Sequence, residues 1–207
     1  MSLAALGVAL VLLSPVGPAD QGPRPEPPRP GLFWTEADAL EGTIGRLERR
    51  YREGRRASRR TVVVTEVQLD SYLNLTLGPR IPEGVSEVNV EIARDLVSAR
   101  AVVDLDRVRG RLPASGPAAV LALLRGAVPL ELQGRLPSAD GTARLEVLEV
   151  RVGGVGLPPS MLAELVALAT RTQRRPQGLD ILAPFALPWG ALRVRLEQGR
   201  ALLDFPP

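Results

Sequence analysis

The sequence lacks most of the side chains that enzymes use for chemistry. Its 207 residues include no cysteine and no histidine, and all 26 basic residues are arginine. Without histidine there is no Ser-His-Asp triad and no imidazole metal ligand. Without cysteine there is no disulfide, thiol nucleophile or thiolate zinc site, and without lysine there is no Schiff base. We therefore expect a protein that is not an enzyme and that holds no cofactor and no metal ion.

Aromatic residues are also scarce, since the chain has only two Trp, two Tyr and three Phe. The hydrophobic fraction is nevertheless 45%, so the interior has to be built from Leu, Val, Ile and Ala. A chain of this length buries roughly two-thirds of its unfolded surface, which is enough for one domain without cross-links. The formal net charge is only +3, and stacking aromatics are few, so nucleic acid is not expected as a partner.

The N-terminal part of the sequence has the composition of an export signal. An apolar run occupies residues 3–13, and small residues at Gly17 and Ala19 precede Asp20. The run is too short to span a bilayer and suits a signal peptide over residues 1–19, although an uncleaved membrane anchor is the alternative. Residues 20–33 are rich in proline and predict a disordered tether. A single α+β domain at 34–207, located in the periplasm or cell envelope, completes this organisation.

Helix signals recur along the domain. Thr35 and Asp38 predict a capping-box start for a helix over 35–54, whose apolar face comprises Ala37, Leu40, Ile44, Leu47 and Tyr51. Thr65 and Gln68 form a second capping box that opens a helix over 66–77. Further helices are predicted over 117–124 and 160–172.

Elsewhere the apolar residues alternate with a period of two, which predicts one-sided strands. Hairpins are predicted around the turns at Arg94–Asp95 and Gln198–Gly199. In the strand over 142–152 the apolar residues change face near Val147, which indicates a bulge or a sharp bend. A helix, an apolar-Pro-x-Gly segment and a hairpin occur in that order twice, with the prolines at Pro82 and Pro188.

One-sided strands and a few amphipathic helices predict an α+β fold. The expected arrangement is a highly curved antiparallel sheet wrapped around one or two amphipathic helices, with two helix-plus-hairpin repeats if the internal similarity is real. Such a sheet leaves room for a cleft lined by aliphatic side chains, which suits an acyl chain rather than a polar substrate. A fully packed core without a cleft is the alternative.

Three segments resemble small bacterial periplasmic members of the tubular lipid-binding (TULIP-like) superfamily. They are residues 64–74 (VTEVQLDSYLN), 156–158 (GLP) and 184–188 (PFALP), and the resemblance extends over about residues 61–205. It implies a long helix cradled by a curved sheet, with a groove of lipid size between them. These families share no catalytic residues, so the resemblance transfers none to this chain.

The sequence thus predicts an exported binder or carrier of a lipid or another apolar molecule. The candidate groove residues are those on the apolar faces of the predicted helices and at the entry to the last hairpin: Leu69, Tyr72, Leu73, Leu77, Leu162, Leu165, Val166, Phe185 and Trp189. Tyr72 and Trp189 combine an apolar body with a polar tip and suit the mouth of the groove. The alternative function is a structural or partner-binding module of the cell envelope with a filled core.

A set of arginines and a pair of aspartates are the remaining candidate sites. Arginines crowd the end of the first helix, and those assigned to contact with an anionic membrane surface are Arg49, Arg50, Arg52, Arg55 and Arg56. The alternative is a solvated helix end, where cations complement the helix dipole. Asp104 and Asp106 share a strand face as paired catalytic carboxylates would, but a solvated pair is the favoured interpretation and no calcium site is expected there.

Overall fold

The computed structural model of the chain describes residues 27, 30–55, 60–78, 81, 84–108, 125–171 and 176–206. The predicted signal peptide, most of the predicted tether, the predicted helix over 117–124 and Arg56 lie outside the described residues. Leu32, at the end of the predicted tether, is buried against Ala37 and Leu75. Packing of the domain therefore already includes the residues that immediately precede the first helix.

The described part contains α-helices and strands in mixed order. The α-helices are α1 (Trp34–Arg52), α2 (Glu66–Ser71), α3 (Leu105–Val108) and α4 (Pro159–Ala169). A π-helical turn (Tyr72–Thr76) continues α2, and a 3-10 turn spans Pro188–Gly190. The strands are β1 (Thr61–Thr65), β2 (Val85–Ala93), β3 (Leu96–Asp104), β4 (Ala127–Arg135), β5 (Ser138–Ala139), β6 (Thr142–Ala143), β7 (Glu146–Val152), β8 (Val155–Gly156), β9 (Phe185–Ala186), β10 (Arg193–Glu197) and β11 (Arg200–Asp204).

The strands form three antiparallel sheets. The largest has five strands in the order β2-β3-β4-β7-β8, a second has the order β1-β11-β10, and a small one has the order β5-β6-β9. The predicted hairpins are present as β2–β3 and β10–β11, and they belong to different sheets. The predictions of an α+β fold and of antiparallel pairing are therefore confirmed.

A β-bulge lies where the apolar residues of β7 change face. Gln133 pairs with Glu149 and Gly134 with Val147, so Leu148 is the extra residue on β7. Gly134 suits this position because an added Cβ would lie 2.9 Å from the carbonyl oxygen of Glu146. The bulge predicted near Val147 is confirmed, and bulges bend the strand that carries them.

The start of α1 differs from the prediction. The N-cap residue is Phe33, which has no side-chain cap, and the helix begins at Trp34. The backbone N–H of Phe33 instead donates to the buried hydroxyl of Ser71, at 3.0 Å. The capping box predicted at Thr35 is therefore wrong, because a side chain distant in sequence satisfies a backbone donor at this helix end. The capping box of Thr65 and Gln68 is confirmed at the start of α2.

Candidate functional site

The nine predicted groove residues all belong to one hydrophobic cluster. Six of them are buried in it: Leu69, Tyr72, Leu73, Leu77, Leu162 and Phe185. The other three, Leu165, Val166 and Trp189, are partly buried and pack against the same cluster. The sequence patterns therefore identified side chains that meet in space, but only the last three have surface left that a ligand can contact.

The apolar face of the five-stranded sheet is buried at one end and half-buried at the other. At the closed end Ile92 pairs with Val97, and these side chains are only 1% and 8% exposed. At the open end Val103 pairs with Val85 on one side and with Val128 on the other, and all three are half-buried. In the rows between them, Leu130 and Leu132 of β4 are partly buried, whereas their partners on β7, Val152 and Val150, are buried. Aliphatic surface thus remains accessible along β3 and β4.

Helix α4 contacts the β7 side of this sheet. Its Met161 and Leu162 are buried, whereas Ala163, Leu165 and Val166 are only partly buried. The half-buried side of α4 and the half-buried end of the sheet are therefore two aliphatic surfaces attached to the same core. Among the described residues no charged side chain is buried.

The chain after α4 is held closely to the end of the helix. Thr170 donates its hydroxyl to the carbonyl of Val166 at 2.6 Å and accepts from the backbone N–H of Leu179 at 2.8 Å. Gly178 has a φ of +73°, and a Cβ at this position would overlap the carbonyl oxygen of Ala167. The position of α4 thus depends on a residue without a side chain at 178.

One face of α2 and its π-helical continuation caps the free edge of β2. The carboxylate of Glu66 accepts from the backbone N–H of Ile92, and Asp70 Oδ1 accepts from Val90 N–H at 2.7 Å. Asn74 then donates Nδ2 to the carbonyl of Val88 at 2.6 Å. Three side chains spaced four residues apart therefore replace the strand that would otherwise pair with this edge.

This polar edge cap went unrecognised as a site in the sequence, although its signal was present. Glu66, Asp70 and Asn74 recur at helical spacing within the segment 64–74 that carries the family resemblance. Spacing places the three side chains on one face of a helix, but it does not reveal which backbone they contact. Free strand edges are templates for unwanted pairing, and proteins commonly cover them.

We expect Asp70→Ala to lower the free energy of unfolding by about 2 kcal/mol, because it leaves the Val90 N–H without its acceptor. The side-chain amide of Asn89 also loses its acceptor, since Asn89 Nδ2 donates to Asp70 Oδ2 at 2.5 Å. The uncovered edge of β2 should in addition promote aggregation. Urea titration and light scattering measure the two effects.

Glu91→Ala is the matched control for this variant. Glu91 is a carboxylate on β2 itself, exposed and paired with Arg100 at 3.0 Å. An exposed ion pair contributes little, so the control should change the free energy of unfolding by less than about 1 kcal/mol. Equal effects of the two variants would contradict the role of Asp70 in capping the edge.

The predicted membrane-contact arginines lie at the end of α1. Arg49, Arg52 and Arg55 are exposed, and Arg50 is half-buried. Tyr51, predicted on the apolar face of α1, is 48% exposed instead. It lies beyond the buried part of that face, since the helix ends one residue later, and its ring lies beside Gly190.

The paired aspartates have local structural partners. Asp104 Oδ1 accepts from the backbone N–H groups of Asp106 and Arg107 at 3.1 and 3.2 Å, so it caps the short helix α3. Asp106 Oδ2 accepts from the N–H of Gly126 at 2.9 Å. These hydrogen bonds hold the two ends of the β3–β4 connection together, which is a structural role.

A polar cavity of about 450 Å³ lies beside the turns of the β2–β3 and β10–β11 hairpins and is lined by Arg94, Glu197, Gln198 and Arg200. Arg200 donates to Glu197 at 2.7 and 3.0 Å, so much of the charge in the cavity is internally compensated. Its polar lining differs from the aliphatic cleft that the sequence predicts.

An ion pair on the exposed face of the β1-β11-β10 sheet joins β10 to β11. Arg195 Nε donates to Asp204 Oδ2 at 2.8 Å, and the Thr61 hydroxyl donates to Oδ1 at 2.8 Å. The hydrogen bond from Arg195 is the main cause that holds the pKa of Asp204 below its ordinary value, and the same bond raises the pKa of Arg195. Asp204 is therefore ionised at neutral pH and acts as a link between strands.

Over the described residues, no three acidic side chains are grouped so that they could hold a metal ion. No helix in the same part of the chain combines the length and the apolar character needed to cross a membrane. Comparison with known proteins finds no matching family model, no matching curated protein and no matching solved structure.

Proposed function

We propose that this chain is an exported binder or carrier of a lipid or another molecule with an acyl chain. The observation that carries the proposal is the row of half-buried aliphatic side chains at one end of the five-stranded sheet, which includes Val103 and Val128. An apolar ligand that covers half-buried aliphatic surface removes that surface, and part of its own, from water. The periplasm or cell envelope is the proposed location.

In this proposal the groove lies between β3–β4 and the half-buried side of α4. Leu165 and Val166 are its helix residues, and Leu130, which packs against the same cluster, is the candidate sheet residue. In the same proposal the five-stranded sheet curves around α2 and α4. The bulge at Leu148 supports this arrangement because bulges increase bend and twist. The resemblance to TULIP-like proteins agrees with this arrangement and belongs to the proposal.

A structural or partner-binding module with a filled core is the second candidate. The burial of Leu69, Tyr72, Leu73 and Leu77 favours it, because these side chains leave no surface for a ligand. The two candidates therefore differ in what occupies the open end of the sheet, which is a ligand in the first and a protein surface in the second.

Native mass spectrometry of the protein purified from cells, together with uptake of a fluorescent fatty acid, tests the proposal. We expect copurifying lipid and saturable uptake. Leu165→Trp should reduce uptake about tenfold, because overfilling an apolar site costs roughly 1–3 kcal/mol. Leu192→Trp is the control, since Leu192 is exposed on the β10 side of the molecule. Absence of both lipid and uptake in the wild type would overturn the proposal.

A further inference from the structure

Positive charge is concentrated at one place in the chain. Residues 46–60 contain eight arginines and two glutamates, a formal charge of +6, whereas the whole chain carries only +3. The remainder of the sequence is therefore net negative, at −3. Of the arginines in this stretch, Arg49, Arg52 and Arg55 are described and exposed at or just beyond the end of α1.

The local carboxylates do not neutralise this charge. Arg52 pairs with Glu48 at 3.3 Å and Arg55 with Glu53 at 3.2 Å, while the two arginine side chains remain 67% and 68% exposed. Such exposed pairs are weak and readily exchange partners. Complementing the helix dipole accounts for arginines in the last turn of α1, but Arg55 lies beyond that turn.

Two aromatic residues, Tyr51 and Trp189, belong to the end of α1 and to the turn that contacts this helix. The exposed ring of Tyr51 lies against Gly190, where an added Cβ would be 3.5 Å from Tyr51 Cε2. The preceding residue, Trp189, is half-buried and has a φ of +55°, a conformation that is costly for a residue with a side chain. One of the two Tyr residues of the chain thus lies in the last turn of α1, and one of the two Trp residues lies in the turn that contacts this helix. Tyr and Trp are enriched where proteins meet the headgroup layer of a bilayer.

From this combination we infer that Arg49, Arg52 and Arg55, with Tyr51 and Trp189, form a docking face for an anionic lipid bilayer. The guanidinium groups contact phosphate headgroups, and the two aromatic rings enter the interfacial layer. An anionic membrane is favoured over nucleic acid because the two rings adjoin a helix end and offer no row of stacking platforms. This face does not depend on the apolar groove, since a protein with a filled core would dock in the same way.

The test follows Trp189 itself, because the apolar run at residues 3–13 can partition into vesicles without the docking face. In a Trp34→Phe background of the full chain, Trp189 is the remaining tryptophan. Vesicles of phosphatidylcholine containing phosphatidylglycerol should shift its emission to the blue and allow quenching by a headgroup-labelled lipid. Vesicles of phosphatidylcholine alone should do neither, and added salt should reverse the effect.

The variant R49Q/R52Q/R55Q should weaken this response on the order of a hundredfold, at about fivefold for each arginine lost. R135Q/R144Q/R151Q is the matched control, because it also removes three exposed arginines, two of them from ion pairs with Glu146 and Glu149. Tyr51→Ala should weaken the response severalfold, while Phe33→Ala, which removes an exposed ring at the other end of α1, should not.

Circular dichroism checks that each variant remains folded. Equal losses in the two triple variants would show that net charge alone governs binding and would overturn the assignment of the face. Binding of a short DNA oligonucleotide without any Trp189 response to anionic vesicles would overturn it as well. Failure of fatty-acid uptake, by contrast, bears on the groove and leaves this face unaffected.

Discussion

Gly178→Ala is expected to lower the free energy of unfolding by about 3–4 kcal/mol, the sum of a strained backbone and a steric overlap. The φ of +73° disfavours any residue with a Cβ, and that atom would lie 2.7 Å from the Cα of Ala167 as well as overlapping its carbonyl oxygen. The obstacle is backbone, so no change of rotamer relieves it. Either α4 or the segment leading to Leu179 has to move. Urea titration monitored by circular dichroism measures the change.

Gly154→Ala separates the two contributions. Gly154 has a similar φ of +81°, but an added Cβ there meets no atom within 4 Å. This control should therefore lose only about 1–2 kcal/mol, from backbone strain alone. If the free energy of unfolding falls by the same amount in both variants, the contact between Gly178 and the end of α4 does not hold the helix in place.

Features with local causes could be predicted from the sequence. The capping box of Thr65 and Gln68 depends on residues three apart, and it forms as expected. The bulge at Leu148 could be inferred because a period of two fails visibly when one residue is inserted. The antiparallel hairpins could be predicted because apolar and polar residues alternate on both sides of each turn. The strands β2 and β3, and the strands β10 and β11, pair as predicted.

Features that depend on distant partners could not be predicted in this way. The backbone N–H of Phe33 donates to the hydroxyl of Ser71, 38 positions away. The capping-box pattern at Thr35 was therefore misleading. The polar face of Glu66 and Asp70 was visible as a spacing, but a spacing does not name β2 as its partner. Periodicity likewise identifies apolar faces without stating how deeply each position is buried, and this is why Leu73 and Leu165 looked equivalent.

Leu73→Ala should distinguish the packed part of the interior from the proposed groove. Leu73 is only 2% exposed within the main cluster, and deletion of a buried leucine side chain costs about 2–5 kcal/mol. We expect a loss of about 3 kcal/mol in the free energy of unfolding. Leu165→Ala, at a half-buried position, should lose only about 1 kcal/mol. Denaturant titrations of lipid-free protein measure both.

The same pair of variants also links stability to the ligand. A ligand that binds the folded state at a hundred times its dissociation constant stabilises it by about 2.7 kcal/mol. If the groove lies along α4, added fatty acid should stabilise the wild type and Leu73→Ala about equally, but should stabilise Leu165→Ala less, because part of the contact is gone. A larger loss of ligand stabilisation in Leu73→Ala would move the groove toward α2. The absence of stabilisation in all three would favour the filled-core module, with the open end of the sheet reserved for a protein surface.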